Sequence, residues 1–489
     1  MLKQVLCCIM LLANAQLASP SLATVASQDK QVALQAAIKA NDCKTVLQIV
    51  AAQIALPNFA GLPEQDRQSF YHLGFECAYQ EHQSELALNY VEEATKLPGA
   101  PQELWQARLG LELRAKHLAA AVSTAETLPS DMADVLNVVK VAYWRYLTDE
   151  LKSEPKLRQR LLKVLASHTY LPAELGTSSD YFRWEYAKIL ADGGDKPGAA
   201  ALVTLIDDPK ALMQISLDTR LREFVPANFD ARFASELHLA RMREVASAHP
   251  GLMSPHLDFV FDLLFLDRGE EALATLEAID PDKADRSNFS DKTDQLRWWW
   301  DFKARAYALL GRYDEAVAAY TRAMALNEAN QPNISQTINL AALQLRFNHP
   351  ADALITLAPV MDGKVPASPY GLMQFRVNHG CASFKTGKRG EANTDLAFLR
   401  EHVVDAPAAL TWLQLCMGDI DGAAVSVIKR LETPDERPEA LAHLSDYAES
   451  PATLPKDPYA AGVVTLKARA DVKEAIARAG GIRSFNVSR

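Results

Sequence analysis

The sequence predicts an all-α fold: a right-handed α-solenoid of roughly ten stacked helix pairs with a short non-repeat C-terminal cap. Three observations predict it. Residues 297 to 323 carry large and small side chains at helical intervals on both sides of a "GRYDEA" turn. The same turn, with an alanine a few residues later, recurs along the chain at intervals near 34 residues. The 489 residues are 49% hydrophobic and 23% charged, an ordinary folded composition with ample apolar material for a long core.

The first element precedes the fold. "MLKQVLCCIMLLANAQLASPSLATVASQDKQ" has one lysine, an apolar run from Val5 to Leu12, and small residues offering cuts after Ala15, Ala23 or Ala26. This is the pattern of a secretory signal peptide, assigned to residues 1–26. The run is far short of the ~20 apolar residues that a membrane span needs. No small residue precedes Cys7 as a bacterial lipoprotein signal requires, and no later stretch reaches spanning length. The expectation is a periplasmic or secreted protein that is not integral to a membrane. A formal charge of −10 without a basic stripe argues against nucleic acid as a partner.

Degenerate repeats are expected over 27–206, from "ANDCKTVL", "QEHQSELAL" (Ala87) and "GGDKPGAA" (Ala199). Trp105 and Ala121 stand 16 residues apart, as do Trp300 and Ala316, which adds a further copy. Residues 207–250 break the pattern: an extended-looking "LMQISLD" and a Pro-Ala-Asn turn before a long helix read as a connector. Clearer repeats follow over 251–454, in "LDRGEEAL" (Ala272), "GRYDEA" (Ala316), "FNHPADAL" (Ala353), "GKRGEAN" (Ala392) and "GDIDGAA" (Ala423). From 455 to 489 the tail gives a short helix from Asp471 ended by Gly480 and Gly481, the natural capping element.

In the best-formed repeat, Trp300, Ala304, Tyr307, Gly311, Tyr313, Ala316, Tyr320 and Ala323 resemble the tetratricopeptide (TPR) motif closely. Small residues let the two helices approach while the aromatic ones fill the space between. The resemblance implies a ligand groove built from positions 2, 5, 9, 12 and 13 of each first helix. Those are Trp298, Asp301, Arg305, Ala308 and Leu309, then Ser335, Ile338, Ala342, Leu345 and Arg346. The candidate groove contacts are Trp298, Asp301, Arg305, Leu309, Ile338 and Leu345. The family's carboxylate clamp is missing, because Asp301 and Ile338 hold its fifth positions. Asp301 and Arg305, four residues apart, are expected to pair on the surface. Three consecutive tryptophans sweep about 200° of a helix, more than one buried stripe. Trp300 is expected in the core and Trp299 against the neighbouring repeat. Trp298 is expected either in the groove or against the polar "DKADRSNFSDKTD".

Catalytic and metal motifs are absent. The eleven histidines form no H-E-x-x-H, and there is no G-x-S-x-G, no P-loop and no G-x-G-x-x-G after a strand. "YGLMQF" resembles a segment of lytic transglycosylases, but the preceding 20 residues contain no glutamate to serve as the acid. No catalytic residue, metal site or cofactor is expected. Cys43, Cys77, Cys381 and Cys416 fit either two local disulfides in an oxidising compartment or four buried thiols. The expected function is an exported, non-enzymatic scaffold for a protein or peptide of the cell envelope. A peptidoglycan-active or other envelope enzyme without a recognisable motif, and a self-assembling structural subunit, are the alternatives.

Overall fold

The computed structural model describes residues 28–282, 289–327, 333–361 and 367–488. The signal-peptide assignment, and residues 283–288 of the polar segment before the tryptophans, lie outside them. The chain divides into two compact units, Met1–Tyr186 and Ala187–Arg489. This boundary differs from the expected connector at 207–250, which belongs wholly to the second unit.

In the first unit, helices pair as α1 (Gln28–Lys39) with α2 (Cys43–Ile54), α3 (Glu64–Gln80) with α4 (Ser84–Thr95), and α5 (Gln102–Arg114) with α6 (Leu118–Thr127). After the single turn α7 (Asp134–Asn137) come α8 (Val141–Glu150) and α9 (Pro155–Leu165). Helix α10 (Asp180–Asp192) carries the unit boundary and is followed by α11 (Lys196–Val203).

The second unit continues with α12 (Pro209–Ile215) and the long α13 (Ala231–Ala248). Of the stretch read as extended, residues 212–215 are therefore helical and 216–218 lie in the turn that follows. The helix start is signalled by Asp208, whose carboxylate caps the Lys210 N–H, and by Pro209 in the first turn. Five hairpins follow: α14 (Ser254–Phe265) with α15 (Gly269–Ala278), α16 (Lys292–Leu309) with α17 (Tyr313–Met324), and α18 (Ile334–Arg346) with α19 (Pro350–Met361). The last two are α20 (Pro369–Lys385) with α21 (Arg389–Glu401) and α22 (Pro407–Cys416) with α23 (Ile420–Glu432). The tail holds α24 (Arg437–Leu444), β1 (Asp446–Tyr447), α25 (Ala460–Ala468), α26 (Ala470–Arg478) and β2 (Ser484–Phe485). The two short strands pair in parallel. "YGLMQF" falls in the first turns of α20, where Tyr370 faces solvent.

One turn geometry makes the hairpins. Between first and second helix, Asn41, His82, Lys116, Gly194, Asp267, Gly311, Asn348, Gly387 and Gly418 all adopt positive φ. Each donates its N–H to the carbonyl three residues back, and the next N–H reaches the carbonyl five back. For Gly311 these bonds end on Ala308 and Tyr307, at 3.0 and 2.9 Å. This arrangement closes the first helix and aims the second back along it. Five residues after the turn stands the small residue found in the sequence: Ala87, Ala199, Ala272, Ala316, Ala353, Ala392 and Ala423 are each 0% exposed. Helix axes can approach there because nothing projects beyond a methyl group. Gly380 goes further, since a Cβ on it would lie 2.8 Å from Leu413 of the next hairpin.

Both cysteine pairs are bonded. Cys43 joins Cys77 and Cys381 joins Cys416, with Cα separations of 4.8 and 5.7 Å. The sequence separations, 34 and 35 residues, equal about one repeat. Each bond therefore fastens a hairpin to its neighbour and restricts the unfolded chain on that same scale.

The second unit closes on itself. Helix α24 packs on α12, Arg220 meets Asp435 at 3.3 Å and Arg222 donates to the Gly480 carbonyl at 2.9 Å. Asn486 bonds Asp230 at 2.9 Å and Ser488 bonds Asp267 at 2.7 Å. Met213 and Leu217 near its start share one core with Phe485 and Val487 at its end. The tail was expected to cap one end; it joins both.

Candidate functional site

The first helices of successive hairpins present the stripe on which the groove contacts were placed, and the structure separates them. Leu309 and Leu345 are 7% and 3% exposed, both packed in the core. They lie in the last turns of α16 and α18: Leu309 lies against Gly269 of the preceding hairpin, and Leu345 shares a core with Leu357 of α19 and Met373 of α20. Neither side chain is open to a ligand. Ile338 is half-buried against the core of the following hairpins.

Asp301 is also a correction. Its carboxylate is 3% exposed and not on the surface. It accepts a hydrogen bond from Asn339 of α18 at 2.9 Å and lies 3.9 Å from the Arg305 guanidinium. Burial raises its pKa, while Arg305, Asn339 and the Tyr320 hydroxyl act in the opposite direction. Burial and the Asp301 charge together push the Tyr320 hydroxyl far up. Asp301 is thus a polar tie among α16, α17 and α18. Buried pairs elsewhere do the same: His379 and Arg376 of α20 hold Asp395 of α21 at 2.6 and 2.7 Å. In the first unit, Arg108 and Thr124 hold Glu112, both at 2.9 Å.

The tryptophans divide differently from the expectation. Trp299 is the buried member, 1% exposed, and its indole N–H donates to the Leu276 carbonyl of α15 at 3.1 Å. This burial against the preceding hairpin matches the sideways packing expected of it. Trp300, expected in the core, is half-buried between two core clusters, with the Arg322 guanidinium 4.7 Å from its ring. Trp298 is half-buried beside the main core, with Arg297 5.7 Å from its ring.

Arg305 remains 40% exposed, and sequence reasoning missed what surrounds it. Its guanidinium lies 5.4 Å from both the Phe261 and the Phe302 rings, whose centroids are 6.0 Å apart. Phe261, on α14, is 37% exposed, and the Lys210 ammonium stands 3.3 Å from its centroid. One exposed aromatic ring therefore carries two cations. The available signal was α14 itself: in "SPHLDFVFDLLF" the apolar residues from Leu257 to Phe265 span more of the helix than one buried stripe, so some of its aromatics had to leave the core face.

Under this surface lies a titratable cluster. His238 of α13 meets Asp262 of α14 at 2.6 Å. Burial opposes the imidazolium, but the hydrogen bond and charge of Asp262 overcome it and raise the pKa. Burial, then the neighbouring Asp262 carboxylate, push Asp258 up to about 7. Burial lowers Lys210 to about 8, against the pull of Asp262 and Asp208.

Among the described residues no group of three or more His, Cys, Asp or Glu could hold a metal ion. Nor is any described helix long and apolar enough to cross a membrane. A small void in the first unit, walled by Leu113, Val122, Trp144 and Leu161, exposes no polar surface to a guest.

No family model matches the chain, and the search of curated proteins finds no match. Among solved structures, the chain is similar to the APC/C hetero-tetramer Cut9-Hcn1, at 13% identity and a TM-score of 0.29 over 94% of this chain and 99% of that one. It is also similar to yeast Tom70, at 13% identity and a TM-score of 0.23 over 91% and 97%. Overlaps this loose decide nothing, and the assignment rests on the molecule's own geometry. Repeated left-handed turns, buried alanines and paired helices make the chain an all-α solenoid of tetratricopeptide-like hairpins.

Proposed function

We propose that the chain is an exported, non-catalytic scaffold that holds a protein or peptide partner of the cell envelope on the first-helix face of its second unit. The carrying observation is the exposed Phe261 ring between Lys210 and Arg305. Phe302 and Trp298 continue it along α16, at positions 298, 302 and 305 of one helical stripe. Large aromatics with an adjacent arginine are the side chains on which interfaces concentrate their binding energy. The apolar leader and the paired cysteines support export, since disulfides persist in oxidising compartments.

A photo-crosslinking residue at Phe261 is expected to trap a discrete polypeptide from the envelope fraction, and Arg305→Glu to reduce that product about tenfold. The same residue at Val425, exposed on the second helix α23, is expected to trap none. Equal products at both positions, or none at Phe261, would sink the reading. For export, N-terminal sequencing of the mature protein should begin after Ala15, Ala23 or Ala26; a retained Met1 contradicts it.

A further inference from the structure

Residues 449–459, "ESPATLPKDPY", run as a strap between two deeply buried anchors, Leu444 at 2% exposed and Leu466 at 1%. The strap crosses the ends of three first helices. Thr453 donates its hydroxyl to the Leu309 carbonyl at the end of α16, at 2.7 Å. Its own carbonyl lies 2.9 Å from where a Cβ on Gly311 would stand, so that glycine leaves room for it. Leu454 packs against two core clusters. Arg346, the last residue of α18, donates to the Pro455 carbonyl at 2.9 Å. Tyr459 lies 5.4 Å from the Trp412 ring of α22.

These contacts are those of a bound peptide. Pro451, Pro455 and Pro458 bring no N–H and restrict the chain, and the strap holds two turns of its own, closed by Leu454 N–H to the Pro451 carbonyl and Ala460 N–H to the Asp457 carbonyl, both at 3.0 Å, which lowers the ordering cost of docking. Ala452, Thr453, Lys456 and Asp457 face solvent. The hydrogen bonds to the helices are made by one strap hydroxyl and one strap carbonyl, groups that any peptide of the right spacing can offer. On the receiving side, Leu309 presents a helix-end carbonyl that needs a donor. Arg346 is a half-buried cation that draws on a backbone oxygen and the Asp457 charge.

We propose that the rim formed by Leu309, Gly311, Arg346 and Trp412 is a peptide-docking surface, which residues 451–459 occupy as a built-in stand-in. Its external partner is a turn-forming, proline-containing segment with a hydroxyl residue, a leucine directly after it and an aromatic five residues beyond the leucine. The partner enters by displacing the strap while Leu444 and Leu466 stay anchored. The Phe261 ring takes no part in the strap contacts named above, so a failure of crosslinking there leaves the rim to be judged by its own experiment.

The probe is a fluorescent peptide of residues 449–460, blocked at both ends, titrated against the full chain and against the Leu454→Ala/Tyr459→Ala variant, in which the strap is loosened and the rim intact. The peptide is expected to bind the variant at least tenfold more tightly than the wild type, and to lose that gain when Arg346→Glu is added. A scrambled peptide should bind neither. Equal binding to both proteins, or none to a variant with wild-type helicity, overturns the proposal. Hydrogen exchange on the wild type reads the strap without any substitution: amides of Thr453 and Leu454 are expected to exchange well before those of α16 and α18. Exchange only in step with global unfolding would show the strap to be fixed core, and overturns the proposal as well.

Discussion

Replacing Trp299 with alanine is expected to lower the unfolding free energy of the second unit by about 3–5 kcal/mol, the range for deleting a buried large aromatic. The indole is 1% exposed, packs edge-on against Trp300 at 4.6 Å and bonds the Leu276 carbonyl. Truncation would open a void between two hairpins and leave that carbonyl without its partner. Trp298→Ala and Trp300→Ala, at half-buried positions, should each cost nearer 1 kcal/mol. Urea unfolding followed by circular dichroism separates the cases. Equal losses at all three positions would show that the hairpin interface does not depend on Trp299.

Asp258→Asn is expected to stabilise the second unit by about 2 kcal/mol at pH 8 and to change little at pH 4. The folded carboxyl titrates near 7 against an ordinary 3.8, so between these values the folded state holds a proton that the unfolded state has lost. Stability therefore falls as pH rises from about 4 to 7. At about 1.4 kcal/mol per pH unit the ceiling is about 4 kcal/mol, roughly halved here for the carboxyl's partial access to solvent. Groups facing it from neighbouring elements add their own trends. His238, raised by Asp262, contributes stability that is lost as pH climbs through its folded pKa. Lys210, lowered to about 8, is neutral in the folded state while still charged in the unfolded one up to about 10.5, so stability recovers over that interval. The wild type should show a minimum near pH 8, measurable as the urea midpoint across pH. A difference between wild type and Asp258→Asn that is the same at pH 4 and 8 would refute the assignment.

Much of the fold was legible because one local rule is repeated. The hairpin turn leaves a trace in sequence, a glycine or polar residue followed five positions later by alanine, and every alanine chosen on that basis is buried. The same reading could not tell which first-helix positions stay open. Helical position fixes the direction of a side chain, but whether Asp301 or Leu345 meets solvent depends on how closely the next hairpin stacks. Arg305 and Phe261 stay open on the first-helix face, and only one of them had been named. Contacts such as Arg222 with Gly480 join residues far apart in the chain and have no periodic signature at all.

An open stack of helix pairs has an end, and an end is a template: its apolar face is shaped to receive the next pair, whether from the same chain or from another copy. Head-to-tail addition that never closes leads to filaments. In the second unit the tail is built into the core of the start: Phe485 and Val487 belong to the same apolar cluster as Met213 and Leu217. Closure of this kind works against such addition. Shortening the chain by its last few residues is expected to uncover part of that shared core, and size-exclusion chromatography of the shortened chain would read the resulting self-association.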